Sequence, residues 1–240
     1  MAKKLAFSTL NALKLFVILY RETILTVTIH QPDFLPWLGF FDRWQKSDLF
    51  IILDDVQFIR RGWQHRDKIK TVHGIKWLTA SVNKKGNYLS ELRYIQLNNR
   101  LNWKKQHIDL IQHTYGQSKN FHNIFSSLEQ IYHKKHTLLI DFNMDLLKFC
   151  AHELSIKTPT LMSSEQNIKS VGTRRLIDLI KTVKGDIYLT GLGSKNYLEE
   201  DIFQKEKIQI RWQQFDHPIY NQMYGSFEKN LSIIDYLFNK

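Results

Sequence analysis

The sequence predicts an α/β protein because of three patterns in its 240 residues. Short β-branched segments alternate with helical patterns at both ends of the chain, which is typical of a parallel sheet covered by helices. One segment, Leu49 to Leu53, is apolar at every position, as expected of a strand that is buried on both faces. Apolar residues make up 43% of the chain, which excludes a disordered protein.

The first strand–helix–strand unit is predicted over residues 26 to 53. Its first strand, Thr26 to Ile29 (TVTI), is short and β-branched. Pro32 and Pro36 follow, and because proline lacks a backbone donor they predict a turn before the helix. The helix is predicted over 37 to 46, where four aromatic residues recur on one face: Trp37, Phe40, Phe41 and Trp44.

The middle of the chain predicts a small β-hairpin and a helical insert. Arg66 to Thr71 and Lys76 to Val82 have strand patterns and are joined at His73-Gly74, a hairpin turn signal. A basic loop (84–87) and a short strand, Tyr94 to Leu97, are predicted next. Three helices then form an insert at about 100–155, predicted at Asn102 to Tyr115, Phe121 to Tyr132 and Thr137 to Leu154.

Strands and helices alternate again after residue 157. Strands are predicted at Thr158 to Met162, Asp186 to Thr190 and Lys207 to Phe215. Helices are predicted at Gly172 to Lys184, Tyr197 to Lys205 and Leu231 to Phe238. The whole pattern predicts a mostly parallel, Rossmann-like sheet with helices on both faces, in a single domain at 26–240.

Residues 1–25 are predicted to lie outside this core fold. They carry two lysines near the start and an apolar run, LFVILY (15–20). The run is too short to span a bilayer, and no small-residue cleavage site follows it. An amphipathic leader, an interfacial anchor and residues added by an upstream start codon are the three interpretations, of which the first and the last are favoured.

The net charge of +11 is concentrated in one segment, residues 60–86, which has eight basic residues against one acidic residue. Such a segment attracts phosphate, an acidic acyl or aminoacyl carrier, or an anionic membrane surface. Nucleic acid is not the expected partner, although the interleaved Trp63 and Trp77 would permit it. The single cysteine, Cys150, fits a reducing compartment, so we expect a cytoplasmic protein that can work at the inner face of the membrane.

Polar side chains follow the first two predicted strands. His30 and Gln31 come after the first strand, and Asp54, Asp55 and Gln57 come after the second. The carboxyl ends of parallel strands share one edge of the sheet, where ligands bind in open α/β folds. His30 is therefore the candidate general base, since imidazole accepts a proton near neutral pH; the alternative is a turn histidine bonded to a carbonyl.

Asp54 and Asp55 are consecutive, so along a strand they point to opposite faces and only one can face His30. The carboxylate that faces His30 would orient the imidazole ring or bind a hydroxyl or amine group of a substrate. The alternative is that one caps a turn and the other pairs with Arg60 or Arg66. An Asp-Asp pair alone is weak evidence for a metal site. The histidines between residues 107 and 152 lack the spacing that metal ligands have, so no metal site is predicted.

We expect Arg60, Arg66 and Lys68 to bind the phosphate groups of a substrate, because the planar guanidinium group of arginine matches the geometry of phosphate oxygens. Trp63 lies among them and is expected to contact substrate as well. Surface ion pairs are the alternative for each charged residue.

The second half of the chain adds four candidates. Gly191 and Gly193 lie in a tight loop between a strand and a helix, where backbone donors can meet an anion. Arg174 opens a helix, where a basic side chain opposes the helix dipole and so hints at a ligand. His217 follows the last strand and is the alternative general base.

With these residues in view, the chain resembles the WbqC-like protein family from Thr26 to the C terminus. The resemblance rests on six blocks in order: HQPDFLPWLGFF (30–41), DLFIILDDVQFIRRGWQHRDKI (48–69), TRRLIDLIK (173–181), DIYLTGLGSKNYL (186–198), FDHPIYNQ (215–222) and NLSIIDYLF (230–238).

The resemblance implies a role in bacterial surface-polysaccharide synthesis, including the O-antigen of lipopolysaccharide. The expected reaction is acyl or aminoacyl transfer to an amino sugar on a nucleotide or lipid carrier. The same blocks imply substrate contacts by Tyr197 and Gln222. A non-catalytic binding or scaffold protein, and a nucleotidyl or glycosyl transferase, stay open as alternatives, and the sequence identifies no cofactor or oligomeric state.

Overall fold

A computed structural model describes residues 24–83 and 89–240. The segment 1–23, which holds nearly all of the predicted leader, and the basic loop 84–87 lie outside the described residues. The division into a leader and one domain with an insert stays a prediction. None of the described helices is long and apolar enough to cross a membrane.

The predicted α/β fold is confirmed by a five-stranded parallel sheet and a separate antiparallel hairpin. The sheet has the strand order β5-β2-β1-β6-β7. Its strands, in chain order, are β1 (Thr26–His30), β2 (Leu49–Ile52), β5 (Thr160–Met162), β6 (Ile187–Thr190) and β7 (Gln209–Trp212). The hairpin consists of β3 (Arg66–Thr71) and β4 (Gly74–Thr79).

Seven α-helices occur within the described ranges. The first, α1 (Leu38–Gln45), joins β1 to β2, and a layer of three follows the hairpin: α2 (Trp103–Tyr115), α3 (Phe121–His133) and α4 (Leu139–Glu153). The last three alternate with or follow the remaining strands: α5 (Gly172–Thr182), α6 (Glu200–Lys205) and α7 (Ile233–Asn239).

The two faces of the sheet carry separate apolar cores, which explains why β2 has no polar residue. Phe50 and Ile52 belong to the core shared with α1, the three-helix layer and α7. Leu49 and Ile51 belong to the core shared with α5 and α6. Each such side chain stabilises the fold by about 1.5–3 kcal/mol when it is fully buried. The alternation along one strand therefore fixes helices on both faces.

Two predicted elements differ from the structure. The strand predicted at Tyr94 to Leu97 begins as a 3₁₀ turn, Leu92–Tyr94. Gln96 and Leu97 then form single bridges to different partners, Leu138 and Val82, and so cannot extend one ladder. The helix predicted from Tyr197 begins at Glu200, because the backbone N–H groups of Tyr197 and Leu198 bond back to the carbonyl of Ser194 in a turn.

The connections that leave β1 and β6 diverge. The chain passes from β1 to β2 on one side and from β6 to β7 on the other, although β1 and β6 are neighbours. Such a divergence leaves a crevice beyond the carboxyl ends of the two central strands, which is where open α/β sheets bind ligands.

The turn between β1 and α1 is held from two distant elements. The Asn143 side chain on α4 is fully buried, and its amide nitrogen donates to the carbonyl oxygens of Pro32 and Gln64, each at 2.7 Å. The Ser232 hydroxyl, just before α7, donates to the carbonyl of Leu35 at 2.8 Å. Leu35 is buried with a φ of 44°, a conformation that is uncommon for a branched side chain and persists only where its surroundings enforce it.

We expect Asn143→Ala to destabilise the protein, because it leaves two buried carbonyl oxygens without a donor. Each acceptor left unsatisfied costs about 1–3 kcal/mol. The free energy of unfolding from urea denaturation measures the loss. Asn123→Ala, on the exposed surface of α3, is the matched control and should change stability by less than about 0.5 kcal/mol. Equal effects of the two variants would contradict a structural role for Asn143.

Candidate functional site

A pocket of about 610 Å³ opens beyond the carboxyl ends of β1 and β6, at the divergence of their connections. Its walls come from the end of β1, α1, the segment 63–68, the turn after β6 and the residues that follow β7. The predicted site residues that line it are His30, Trp63, Lys68, Gly191, Gly193 and Tyr197.

His30 ends β1 with its ring edge against the Phe40 ring, at a centroid distance of 5.1 Å. Its Nδ1 lies 3.0 Å from the carbonyl oxygen of Gln31 and 3.6 Å from the Asp33 carboxylate. Because a carbonyl oxygen only accepts, Nδ1 carries the proton and Nε2 keeps its lone pair. No described residue hydrogen-bonds Nε2.

The His30 ring is neutral at pH 7. Burial and, to a smaller extent, the positive charge of Arg43 lower its pKa to about 3, although the bond to Gln31 opposes the shift. The imidazole nevertheless keeps 37% of its surface exposed, which leaves it open to the pocket. A neutral ring with a free Nε2 is the state required of a general base.

Arg43 supplies a buried positive charge to the pocket. It lies on α1, only 7% exposed, and its Nη1 donates to Oε1 of Gln213 at 2.8 Å. The Gln213 amide nitrogen is held in turn by the carbonyl of Gly39 and the carboxylate of Asp42, each at 2.8 Å. Among the described residues, no carboxylate lies within 4.0 Å of the Arg43 guanidinium. An anionic ligand is the natural counter-charge for such a group.

The turn after β6 fits closely against Arg43. A Cβ atom added at Gly191 would lie 2.9 Å from Nη1 of Arg43, so a larger residue here would require the guanidinium to shift. The turn continues as a short 3₁₀ segment, Leu192–Ser194. The Ser194 hydroxyl lies 2.9 Å from that of Thr190 and accepts a bond from Tyr197 at 3.0 Å, which gives this wall a cluster of three hydroxyl groups.

The pocket is also lined by two buried carboxyl groups, those of Asp33 and Asp67, whose charge when ionised is opposite in sign to that of Arg43. Asp33 is 7% exposed, and no described residue donates a hydrogen bond to its carboxylate. Burial raises its pKa to about 7 although Arg43 opposes the shift. Asp67 on β3 is 2% exposed, and its pKa is raised by burial and by the nearby Asp33. Both groups therefore retain protons at a higher pH than ordinary carboxylates do.

Trp63 stands beside the pocket with 50% of its surface exposed. Its carbonyl accepts a bond from the Phe34 amide at 3.0 Å, which ties it to the turn after β1. Its ring lies 5.6 Å from that of Trp77, over which the Arg66 guanidinium stacks at 4.3 Å. Arg66 itself donates to the Arg61 carbonyl and does not line the pocket, whereas Lys68 does.

The structure does not bring Asp54 and Asp55 into this pocket. Asp54 accepts a bond from the Ser164 amide at 3.0 Å, and its carboxylate also lies 3.0 Å from the Ser163 hydroxyl oxygen. Asp55 accepts from Ser163 and pairs with Arg175, each at 2.5 Å. The two carboxylates thus join the end of β2 to the segment after β5 and lie outside the pocket that His30 lines.

Several other predicted site residues lie outside the pocket lining. Arg174 is an exposed residue of α5 and pairs with Asp178 and Glu206. His217 packs on Tyr220 instead of facing His30, since its Nδ1 bonds to the Pro218 carbonyl. Gln31 is bonded to Gln64, Gln57 is bridged to Glu91, and Gln222 is bonded to Asp235. Arg60 also lies outside the pocket lining.

The pocket residues that the sequence did not predict include Asp33, Arg43, Asp67 and Gln213. A signal was present for Arg43, which follows Phe40 by three residues and so shares the apolar face of α1. Asp67 also carries a signal, because it is the one acidic residue in the basic segment 60–86. Asp33 and Gln213 carry no comparable local signal. Within the described ranges, no group of three or more His, Cys, Asp or Glu side chains is arranged to hold a metal.

Comparisons with known proteins identify relatives along nearly the whole chain. The model of the WbqC-like protein family matches residues 31–240. A protein of Mycobacterium tuberculosis, described as uncharacterized, is 33% identical over 215 residues, which cover 89% of this chain and 93% of the relative. No solved structure matches the chain significantly.

The raised pKa of Asp33 predicts a pH-dependent loss of stability. In the folded protein Asp33 keeps a proton up to about pH 7, whereas the unfolded chain releases it near pH 4, so the free energy of unfolding falls as the pH rises through this window. Asp33→Asn removes the effect. Relative to wild type it should gain up to about 4 kcal/mol between pH 4 and pH 8.

Urea denaturation at several pH values measures this difference. Asp201→Asn is the matched control, because Asp201 is an exposed carboxylate paired with Lys205. Its difference from wild type should stay flat across the pH range. A flat difference for Asp33→Asn as well would show that Asp33 titrates as an ordinary carboxylate.

Proposed function

The chain belongs to the WbqC-like protein family, and on that premise we propose that it is a transferase of bacterial surface-polysaccharide biosynthesis. It transfers an acyl or aminoacyl group to the amine of an amino sugar on a nucleotide or lipid carrier. The observation that carries this proposal is the pairing, in one pocket, of a neutral imidazole with an open Nε2 and a buried guanidinium without an ion-pair partner among the described residues.

His30 acts as the general base. The neutral amine of the acceptor attacks the carbonyl carbon of the acyl donor, and Nε2 takes the proton that the nitrogen loses as the new C–N bond forms. The bond to the leaving group then breaks, and the leaving group departs with the electron pair and receives that proton. The bond from Nδ1 to the Gln31 carbonyl holds the ring in the required tautomer.

Arg43 holds the anionic part of the substrate, such as the phosphate of the carrier. The guanidinium is positioned by Gln213 and has no carboxylate to displace. An anion bound at Arg43 would also offset the charge that lowers the pKa of His30. The base would therefore become stronger when the substrate is in place.

Trp63 provides the surface for the sugar ring. Half of its indole is exposed beside the pocket, and Lys68 lines the same pocket. An exposed indole covers the apolar face of a ring, while a lysine meets its polar or phosphate groups. The basic segment 60–86 supports work near an acidic acyl carrier or the inner membrane surface.

We expect His30→Ala to lower transfer by about 10²–10⁴-fold, the usual contribution of a general base. Mass spectrometry of the surface polysaccharide, from a strain that lacks the gene and carries the variant, measures the modified sugar. His152→Ala is the matched control, because His152 is exposed on α4. Full modification by His30→Ala would end the proposed role of His30 as base.

One observation favours a non-catalytic sugar-binding protein as the second candidate. An imidazole whose pKa is lowered is harder to protonate and is thus a weaker base. A binding protein predicts that His30→Ala supports full modification while loss of Arg43 still abolishes it. Release of pyrophosphate or of a nucleoside diphosphate would instead indicate a nucleotidyl or glycosyl transferase.

Replacing Arg43 by methionine tests the anion site. Arg43→Met should abolish the thermal stabilisation that millimolar sugar phosphate gives to the wild type, since bound ligand stabilises by mass action. The unliganded variant should lose about 1–3 kcal/mol of stability, because the buried oxygen of Gln213 is left without its donor, and the shift caused by ligand is measured relative to the variant's own unliganded state.

Arg174→Met is the matched control. It removes an arginine that pairs with Asp178 and Glu206 outside the pocket, so the shift caused by ligand should persist. Undiminished stabilisation of Arg43→Met by sugar phosphate would contradict the anion site.

A further inference from the structure

Asp33 and Asp67 line the same pocket as Arg43 but lack an opposite charge of their own. Among the described residues, no lysine or arginine nitrogen lies within 4.0 Å of either carboxylate, and the one nearby ring nitrogen, Nδ1 of the neutral His30, lies 3.6 Å from Asp33. Asp67 accepts one bond, from the amide of Lys68 at 2.7 Å. Asp33 accepts none from any described residue.

Burial of these groups has a cost that the protein itself does not offset. Asp33 is 93% buried and lines the pocket, and no described protein donor replaces the solvation that its carboxylate loses. The titratable groups near it are the neutral His30 from β1, Arg43 from α1 and Asp67 from β3, and burial outweighs the favourable effect of Arg43. A positive ligand group at this wall would satisfy both carboxylates at once.

A purely anionic ligand fits only part of this pocket. Its negative charge is favourable beside Arg43 but unfavourable beside two carboxyl groups. A ligand that bears an anion at one end and an ammonium at the other matches both walls, and the ammonium has three donors for carboxylate oxygens.

We propose that Asp33 and Asp67 form the subsite for a primary ammonium group of a ligand whose anionic group is bound by Arg43. The subsite rests on the pocket geometry, and only the identification of the ligand as an amino sugar phosphate rests on the proposed function. In that reaction the wall selects an acceptor with a free amine over its N-acylated product, and a wall carboxylate takes one proton from the ammonium so that the neutral amine can attack. Asp33 and Asp67 are specificity and positioning residues.

Ammonium binding should displace protons from the wall. At pH 6 Asp33 is largely protonated in the free protein, and a cation beside it favours the ionised form. The complex therefore releases protons that a ligand without an amine leaves in place.

Three probes that differ only at C2 of the sugar test this subsite: D-glucosamine 1-phosphate, N-acetyl-D-glucosamine 1-phosphate and D-glucose 1-phosphate. Isothermal titration calorimetry at pH 6, in two buffers of different ionisation enthalpy, gives affinity and proton release. We expect glucosamine 1-phosphate to bind at least about tenfold more tightly than the other two, a difference of about 1.4 kcal/mol. It should release more protons than glucose 1-phosphate, which controls for ionisation of the phosphate.

Asp33→Asn and Asp67→Asn should each remove the preference and the extra proton release, while binding of glucose 1-phosphate stays within about twofold of wild type. Asp201→Asn should keep both effects. Circular dichroism confirms that each variant is folded. Equal affinity of the wild type for all three sugars, or a tenfold preference that survives in both wall variants, overturns the proposal.

A second pair of probes separates this inference from the proposed function. If no sugar phosphate binds, 2-aminoethyl phosphate is compared with ethyl phosphate. If 2-aminoethyl phosphate binds more tightly than ethyl phosphate and this preference requires Asp33, the ammonium subsite is supported. The identification of the ligand as an amino sugar phosphate is then wrong. The absence of any preference in this pair as well overturns the subsite itself.

Discussion

The hydrogen bond from Arg43 to Gln213 is the interaction on which the pocket depends. It joins α1 to the end of β7 across the ends of the two central strands. The amide of Gln213 is held on its other side by Gly39 and Asp42, so its oxygen must face the guanidinium. The charge is thus fixed in place by a neutral group and keeps its attraction for an anion. The neutral state of His30 depends in part on the same charge.

Positive and negative features are separated on different walls of one small volume. Arg43 and the hydroxyl cluster of Ser194 lie on the side of α1 and β6, while Asp33 and Asp67 come from the turn after β1 and from the hairpin. His30 lies next to Asp33 and within the field of Arg43. Such a separation discriminates by charge pattern as well as by shape, because each wall penalises a ligand group of the wrong sign.

The sequence predicts the fold class and the edge of the sheet where the pocket lies, but not which strand ends meet there. Periodicity identifies β1, α1 and β2, and it places His30 at a strand end. It carries no information on strand order, so Asp54 and Asp55 after β2 were expected beside His30, whereas the pocket forms between β1 and β6. Gln213 could not be found in the same way, since only long-range packing brings it to Arg43.

Asn143 connects the three-helix layer to the pocket, although no residue of that layer lines the pocket. One side chain on α4 holds both the turn that carries Asp33 and the segment that carries Trp63. Local opening of α4 would release both carbonyls together, so the pocket can be no more rigid than that helix. Sequence change in the helical layer is therefore a route by which relatives of this chain could tune substrate residence without altering a single pocket residue.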